Sequence, residues 1–159
     1  MIDKALEWAG INSKTFNDEE ESRLLDVGCG IGGSSRYMVE QFRADCSEWK
    51  GVGVTLSPKQ AARANSITNE RFSSPVPLTY LVRDAVDLRK CPEQANVDQS
   101  YSSTTTFDDN SFDMIWSMES AEHIEEKEKF IKEMHRVCKP GGKIVLVTWC
   151  HRNTEDKVR

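Results

Sequence analysis

Leu24-Leu25-Asp26-Val27-Gly28-Cys29-Gly30-Ile31-Gly32-Gly33 decides the fold of this chain, because a short apolar strand runs into a glycine hinge and then into helix-compatible Ser34-Ser35-Arg36-Tyr37-Met38. Such a hinge is a nucleotide cradle. Gly28 and Gly30 can take backbone angles that a Cβ forbids and let a ligand lie against bare peptide, while Gly33 is expected to bring the helix close onto the strand. Asp26 sits at the mouth. Taken alone, Gly28-x-Gly30-x-x-Gly33 fits a dinucleotide site, another nucleotide site or a plain tight turn, so the rest of the chain has to identify the ligand.

Before the hinge, Ile2, Ala5, Leu6 and Ala9 repeat at helical spacing ahead of Gly10, which predicts a short amphipathic helix, and Asn17 to Ser22 forms an acidic linker. The strand itself spans Arg23 to Val27, and its helix is expected to carry Tyr37, Met38 and Phe42 toward a sheet. A second strand, Gly51 to Thr55, meets Leu56-Ser57-Pro58, where Ser57 suits an N-cap and Pro58 a first helical residue. The helix that follows carries Ala61, Ala62, Ala64 and Ile67. Pro75 and Pro77 punctuate the chain before a third strand, Leu78 to Val82, which ends at Arg83-Asp84-Ala85.

Between Glu93 and Asn110, 14 of 18 residues are Ser, Thr, Asn, Asp, Gln or Glu. Too little apolar surface is available there to offset the entropy of ordering, which predicts a mobile surface insertion at 93–110. A fourth strand follows from Phe112 to Ser117. The next helix places Phe130, Ile131, Met134 and Val137 on one apolar stripe, and Lys139-Pro140-Gly141-Gly142 is expected to turn the chain into a fifth strand, Lys143 to Trp149.

Strands alternating with helices require parallel pairing and right-handed crossovers, hence an α/β fold with a Rossmann-like doubly wound sheet and its ligand at the carboxyl ends of the strands. Asp26 to Gly33, Thr55-Leu56, Asp84-Ala85, Ser117-Met118-Glu119 and Trp149-Cys150-His151 all follow strands. One crevice can gather them.

The 159 residues suit a single domain, and 38% hydrophobic with 30% charged residues is ordinary for a globular protein. No apolar run is long enough for an integral membrane segment. A net charge of −5 over mixed-sign segments gives no continuous basic surface, which argues against nucleic acid as a partner. Five cysteines, Cys29, Cys46, Cys91, Cys138 and Cys150, contain no Cys-x-x-Cys pair and read as free thiols. His135 and Cys138 lie near one helical turn apart but have no further partners, so they read as helix-face residues, and no metal is expected.

A dinucleotide dehydrogenase usually carries Asp or Glu at the end of its second strand to hold the ribose, whereas this chain has Thr55. NAD is therefore disfavoured. Asp26-x-Gly28-x-Gly30, Asp84-Ala85, Phe112-Asp113 and Pro140-Gly141-Gly142, in that order, resemble the class I S-adenosylmethionine-dependent methyltransferases. More narrowly, Gly28 to Tyr37, Thr55-Leu56-Ser57-Pro58, Trp116-Ser117-Met118-Glu119-Ser120 with Glu122-His123, and Val147 to Arg152 resemble the γ-tocopherol methyltransferase family. Those motifs span nearly the whole chain. The resemblance implies S-adenosyl-L-methionine as cofactor and a small-molecule methyl acceptor, which in that family is a phenolic ring carbon of a tocopherol and in plant relatives an alkaloid nitrogen. It also implies further strands beyond the fifth, so that 1–159 reads as one methyltransferase domain incomplete at its C-terminal side. A plastid is implied for the parent enzyme, with the cytoplasm as the alternative.

By the same resemblance, Gly28 and Gly30 border the amino-acid end of the cofactor and Asp26 orients the loop or the cofactor ammonium, although an aspartate there also caps loops. Thr55 offers the ribose a hydroxyl, and Leu56 packs on adenine or serves as a core leucine. Asp84 accepts from the adenine amino group, Ala85 leaves room for the ring, and the alternative for Asp84 is a surface loop acid. Ser117 and Met118 contact the methionyl part through their backbone, or Met118 fills core. Glu119 and His123, one helical turn apart, are candidates to orient or deprotonate the acceptor; the bland alternative is an exposed helix pair. His151 can reach the acceptor from the end of the fifth strand. Two competing readings are an S-adenosylmethionine-binding module without turnover, left with an open edge at the fifth strand, and an NAD-dependent oxidoreductase.

Overall fold

The computed structural model describes residues 1–12, 15–16, 21–45, 49–73, 75–90 and 107–149. Helix α1 (Ile2–Trp8) leads into strand β1 (Ser22–Val27), helix α2 (Gly33–Asp45), strand β2 (Trp49–Thr55), helix α3 (Pro58–Arg71) and strand β3 (Leu78–Val82). Strand β4 (Phe112–Met118), a 3₁₀ turn (Ala121–His123), helix α4 (Lys127–Val137) and strand β5 (Cys138–Val147) complete it. The five strands pair in parallel in the order β3-β2-β1-β4-β5. Chain order reverses between β1 and β4, so the loops after those strands diverge and leave a crevice at the carboxyl edge.

Period-two alternation sorts the strand residues onto two faces. Leu24 joins Met38, Val39, Phe42, Trp49, Ala61, Ala64 and Tyr80 under α2 and α3, while its neighbour Leu25 joins Leu81, Ile115, Phe130, Met134 and Val137 under α4. Several expectations need correction at the level of single residues. Tyr37 is only partly buried and donates to Asp3 at 2.5 Å, so it ties α2 to α1 rather than to the sheet. Ile131 stays 47% exposed, because the stripe on α4 that meets the sheet is narrower than its apolar sequence. Trp49 begins β2 two residues earlier than expected, buried against Phe16 and Phe42.

The Lys139 to Gly142 stretch lies inside β5 rather than before it. Phe112 pairs with Cys138 and Met114 with Lys143, so this stretch is an irregularity within the pairing, with Gly141 at φ +81° and Gly142 crowded against the Asp113 carbonyl. Asp113, at the opposite end of the sheet from the crevice, accepts from the Arg23 main-chain N–H at 2.8 Å and from Lys139 Nζ at 2.9 Å. It therefore bridges β1, β4 and β5. Asp113→Ala is expected to cost about 1–3 kcal/mol, the usual consequence of orphaning such donors. Urea unfolding should show that loss while ligand affinity at the far edge holds.

Residues 93–106 of the polar stretch lie outside the described residues. Its end, 107–110, belongs to the packed structure: Phe107 is buried beside Phe112, its carbonyl accepts from Arg136 Nη1 at 2.6 Å, and Asp109 pairs with Arg89 and Arg136.

Candidate active site

Three loop contacts shape the crevice. Gly28 and Cys29 both donate main-chain N–H bonds to the Val54 carbonyl, which draws the glycine hinge over the tip of β2, and Arg83 N–H does the same to Thr55. The resulting cleft, about 410 Å³, is lined by Gly28, Gly30, Val54, Thr55, Leu56, Gln60, Arg83, Asp84, Ala85, Glu119, Ser120, His123 and Ile124. That volume lies in the range of small-molecule and cofactor sites.

Eight of the residues singled out in the sequence meet there: Gly28, Gly30, Thr55, Leu56, Asp84, Ala85, Glu119 and His123. Asp26, Ser117 and Met118 do not line it. Ser117 is fully buried with its Oγ unpartnered, and Met118 packs on the core, so β4 reaches the cleft only with Glu119 and Ser120. Cys150, His151 and Arg152 lie outside the described residues.

The glycines divide their work differently from the simple reading. Gly30, at φ +55°, has open space where a Cβ would stand, and is the position where a ligand can lie on bare peptide. Gly28 lines the cleft, but its missing Cβ makes room for the Ser120 side chain, which would lie 1.9 Å from that carbon. Close packing onto the sheet falls to Gly32, not Gly33: a Cβ on Gly32 would stand 2.4 Å from the Tyr80 ring, whereas one on Gly33 meets nothing. The Tyr80 hydroxyl completes this joint with bonds to Ser35 and to the Gly32 carbonyl.

At the tip of β2 the Thr55 hydroxyl is already engaged. It donates to Gln60 Oε1 at 2.8 Å and accepts from Ser57 N–H at 3.2 Å. With its oxygen held this way, Gln60 keeps its Nε2 donors for the cleft. Gln60 was missed in the sequence. Its signal is the position: three residues after the N-cap Ser57, whose Oγ accepts its N–H, it sits on the first turn facing the strand tip. Leu56 is 64% exposed, a free apolar face at the cleft rather than a core leucine. Asp84 both caps and faces the ligand space: Oδ1 accepts from Val86 N–H at 3.0 Å, and among the described residues Oδ2 has no partner.

Glu119 and His123 share the cleft without sharing an α-helix. Glu119 stands at φ +53°, in the left-handed region, and His123 closes the 3₁₀ turn, while α4 starts four residues later. Both side chains are exposed to the cleft side.

Asp26 lies behind the hinge, 2% exposed, with Oδ2 unpartnered. Burial pushes its carboxyl up to about 6, against the downward pull of hydrogen bonds from Ser35. The neighbouring Cys29 thiol is pushed well above its ordinary range by burial and by the Asp26 charge, so it is no nucleophile here. A carboxyl whose folded pKa is raised stabilises the fold fully below its unfolded value near 3.8, and that contribution is lost as pH climbs through about 6. Asp26→Asn is therefore expected to raise the urea midpoint at pH 7.5, by the equivalent of roughly 1–3 kcal/mol, and to flatten the fall in stability between pH 4 and 7. A midpoint unchanged at pH 7.5 would remove the strain assigned to this carboxylate.

Residues 25–146 match a protein family described as "Methyltransferase domain". The chain belongs to that methyltransferase family. It is 43% identical over 156 residues to the chloroplastic tocopherol O-methyltransferase of Arabidopsis thaliana, covering 96% of this chain and 37% of the relative. With the norajmaline N-methyltransferase of Rauvolfia serpentina it shares 32% identity over 155 residues, 96% of this chain and 44% of that one. The crystal structure of the [4+2]-cyclase SpnF superposes with a TM-score of 0.65 at 28% identity, over 91% of this chain and 42% of that one. The methyltransferase-domain chain thus spans less than half the length of these relatives. S-adenosylmethionine is the cofactor of this family, and the residues present suit it: an open glycine at Gly30, a free carboxylate oxygen at Asp84, an apolar face at Leu56 and amide donors at Gln60. Among the described residues no group of His, Cys, Asp and Glu is placed to hold a metal ion, and no helix is long and apolar enough to cross a membrane.

Proposed function

We propose that the chain forms the cofactor-binding part of a methyltransferase that acts on a small phenolic acceptor of the tocopherol type. The observation that supports it most is the convergence of the tips of β1, β2, β3 and β4 on one cleft, with Asp84, after β3, and the glycine hinge, after β1, both in its lining. Its likeness to the chloroplastic tocopherol methyltransferase of Arabidopsis supports the acceptor class and a plastid as the compartment.

S-adenosylmethionine supplies, when bound, a methyl group already activated on a sulfonium, so the protein has to align, exclude water and manage one proton. Asp84 Oδ2 holds the adenine amino group, Leu56 and Ala85 flank the ring, and Gln60 Nε2 donates to the ribose. Gly28 and Gly30 border the amino-acid end. Asp26, buried behind the hinge, would hold the loop in shape and offer charge to the cofactor ammonium. Ser117 and Met118 act from the second layer by fixing the exit of β4. Glu119 and His123 stand at the acceptor side, where either can accept the phenolic proton and orient the ring.

Titration calorimetry with S-adenosylhomocysteine and with NADH, followed by methyl transfer to γ-tocopherol and to a small amine, tests this. S-adenosylhomocysteine binding with transfer to the phenol is the expected result. Binding with transfer only to the amine would overturn the acceptor class.

A further inference from the structure

The wall of the cleft that faces the acceptor in the proposed reaction is carried by the 119–124 segment, which Glu119 N–H ties to the Val147 carbonyl, Thr148 ties through Glu122, and Ala121 and Ile124 anchor on the core. Glu119 leaves β4 in the left-handed region, which is unfavourable for a residue with a side chain. The following 3₁₀ turn is closed by two main-chain bonds, His123 N–H to Ser120 at 3.1 Å and Ile124 N–H to Ala121 at 3.3 Å. Ser120 gives the turn no side-chain cap, and Glu126 gives none to α4. Ser120, His123 and Ile124 nevertheless form part of the cleft.

Beside these contacts, one cation gathers the main chain of the turn. The main-chain carbonyls of Ala121, at 2.6 Å, Glu122, at 3.0 Å, and Ile124, in close contact, all converge on Lys127 Nζ. An ammonium has three donors and no acceptor, and here three carbonyls meet them. The oxygens come from within four residues of one another, so the chain wraps the nitrogen as a loop wraps a bound ion. We propose that Lys127, an exposed residue at the start of α4, is a positioning residue whose ammonium holds the 121–124 turn and thereby sets His123 and Ile124 in the cleft wall. This assignment rests on the methyltransferase reading only for its consequence, not for its geometry.

Ligand-free amide exchange of the ¹⁵N-labelled chain tests it. In Lys127→Met, exchange at His123 and Ile124 is expected to rise roughly tenfold, while Met134 in α4 and Val52 in β2 keep their protection. Millimolar methylammonium, which can re-enter the carbonyl cradle, should restore protection and return the His123 ring resonances to their original positions. Tetramethylammonium has no N–H donor and should do neither. Unchanged exchange in the variant, or equal rescue by both cations, overturns the proposal.

Should the variant not fold, the unaltered chain still decides the matter. The Lys127 ammonium protons should persist in an ammonium-selective ¹H–¹⁵N spectrum at temperatures where those of Lys4 and Lys59, likewise exposed, have merged with water, and their loss together with the others counts against the cradle. Failure of the unaltered chain to bind S-adenosylhomocysteine would instead count against the cofactor reading, leaving the exchange result to stand by itself.

Discussion

Gly32→Ala is expected to destabilise the protein by roughly 2–5 kcal/mol. Two costs add at this position. The residue sits at φ +77°, where an L side chain meets its own backbone, and the new Cβ would stand 2.4 Å from the Tyr80 ring. That ring cannot withdraw cheaply: it also fills the space beside Gly53, where a Cβ would again meet it at 2.4 Å, and its hydroxyl is bonded to Ser35 and to Gly32 itself. Gly30→Ala is the control. It carries the left-handed penalty, about 1–2 kcal/mol, without any overlap, since its Cβ would stand in open space. Thermal or urea unfolding should therefore rank Gly32→Ala well below Gly30→Ala, and calorimetry should rank them the other way for any Gly30→Ala protein that stays folded, because its methyl occupies the space a ligand needs. Equal stabilities would mean that Tyr80 is not the fixed partner of the hinge.

The same two glycines show how far sequence reasoning reaches. The hinge itself was legible, since a glycine-rich turn between an apolar strand and a helix has few physical solutions. Which glycine faces the ligand was not, because that depends on Tyr80, nearly fifty residues away on β3. The parallel sheet followed from the alternation of strands and helices, and the cleft from the rule that ligands sit at strand tips, so Thr55, Leu56, Asp84 and Glu119 could be placed before any coordinates. What one-dimensional spacing could not resolve was the local geometry beyond each tip. Glu119 and His123 have helical spacing, yet a left-handed residue and a 3₁₀ turn bring them to the cleft. Thr55 has a hydroxyl, yet its partners Gln60 and Ser57 claim it, and the free donor passes to Gln60. Asp113 belongs to a motif shared with methyltransferases, yet its contacts are those of a strut at the far edge of the sheet.

Family membership does not settle the chemistry by itself, as the superposition on a [4+2]-cyclase illustrates: one fold can host unlike reactions, and the site has to carry the assignment. The residue that bears most of that weight is Asp84. Asp84→Ala is expected to weaken S-adenosylhomocysteine binding by about 1–3 kcal/mol, or roughly 5- to 150-fold, because in the proposed reading the adenine amino group would lose its acceptor inside the cleft. The loop that presents this carboxylate should survive the change. Its shape is held by main-chain and distant contacts as well, Asp87 N–H to the Asp84 carbonyl at 3.2 Å and Leu88 N–H to Glu133 at 2.8 Å, with Leu88 fully buried. The one bond lost within the loop is that from Val86 N–H. Asp84→Asn separates the two roles, since its amide oxygen can keep the Val86 bond while its NH₂ replaces the free oxygen and confronts the adenine amino group with a second donor. Calorimetry should thus find both variants folded and both weakened, the asparagine variant at least as much as the alanine one. An asparagine variant that binds as tightly as the original chain would show that Asp84 serves the loop alone, and would move the adenine to another part of the cleft.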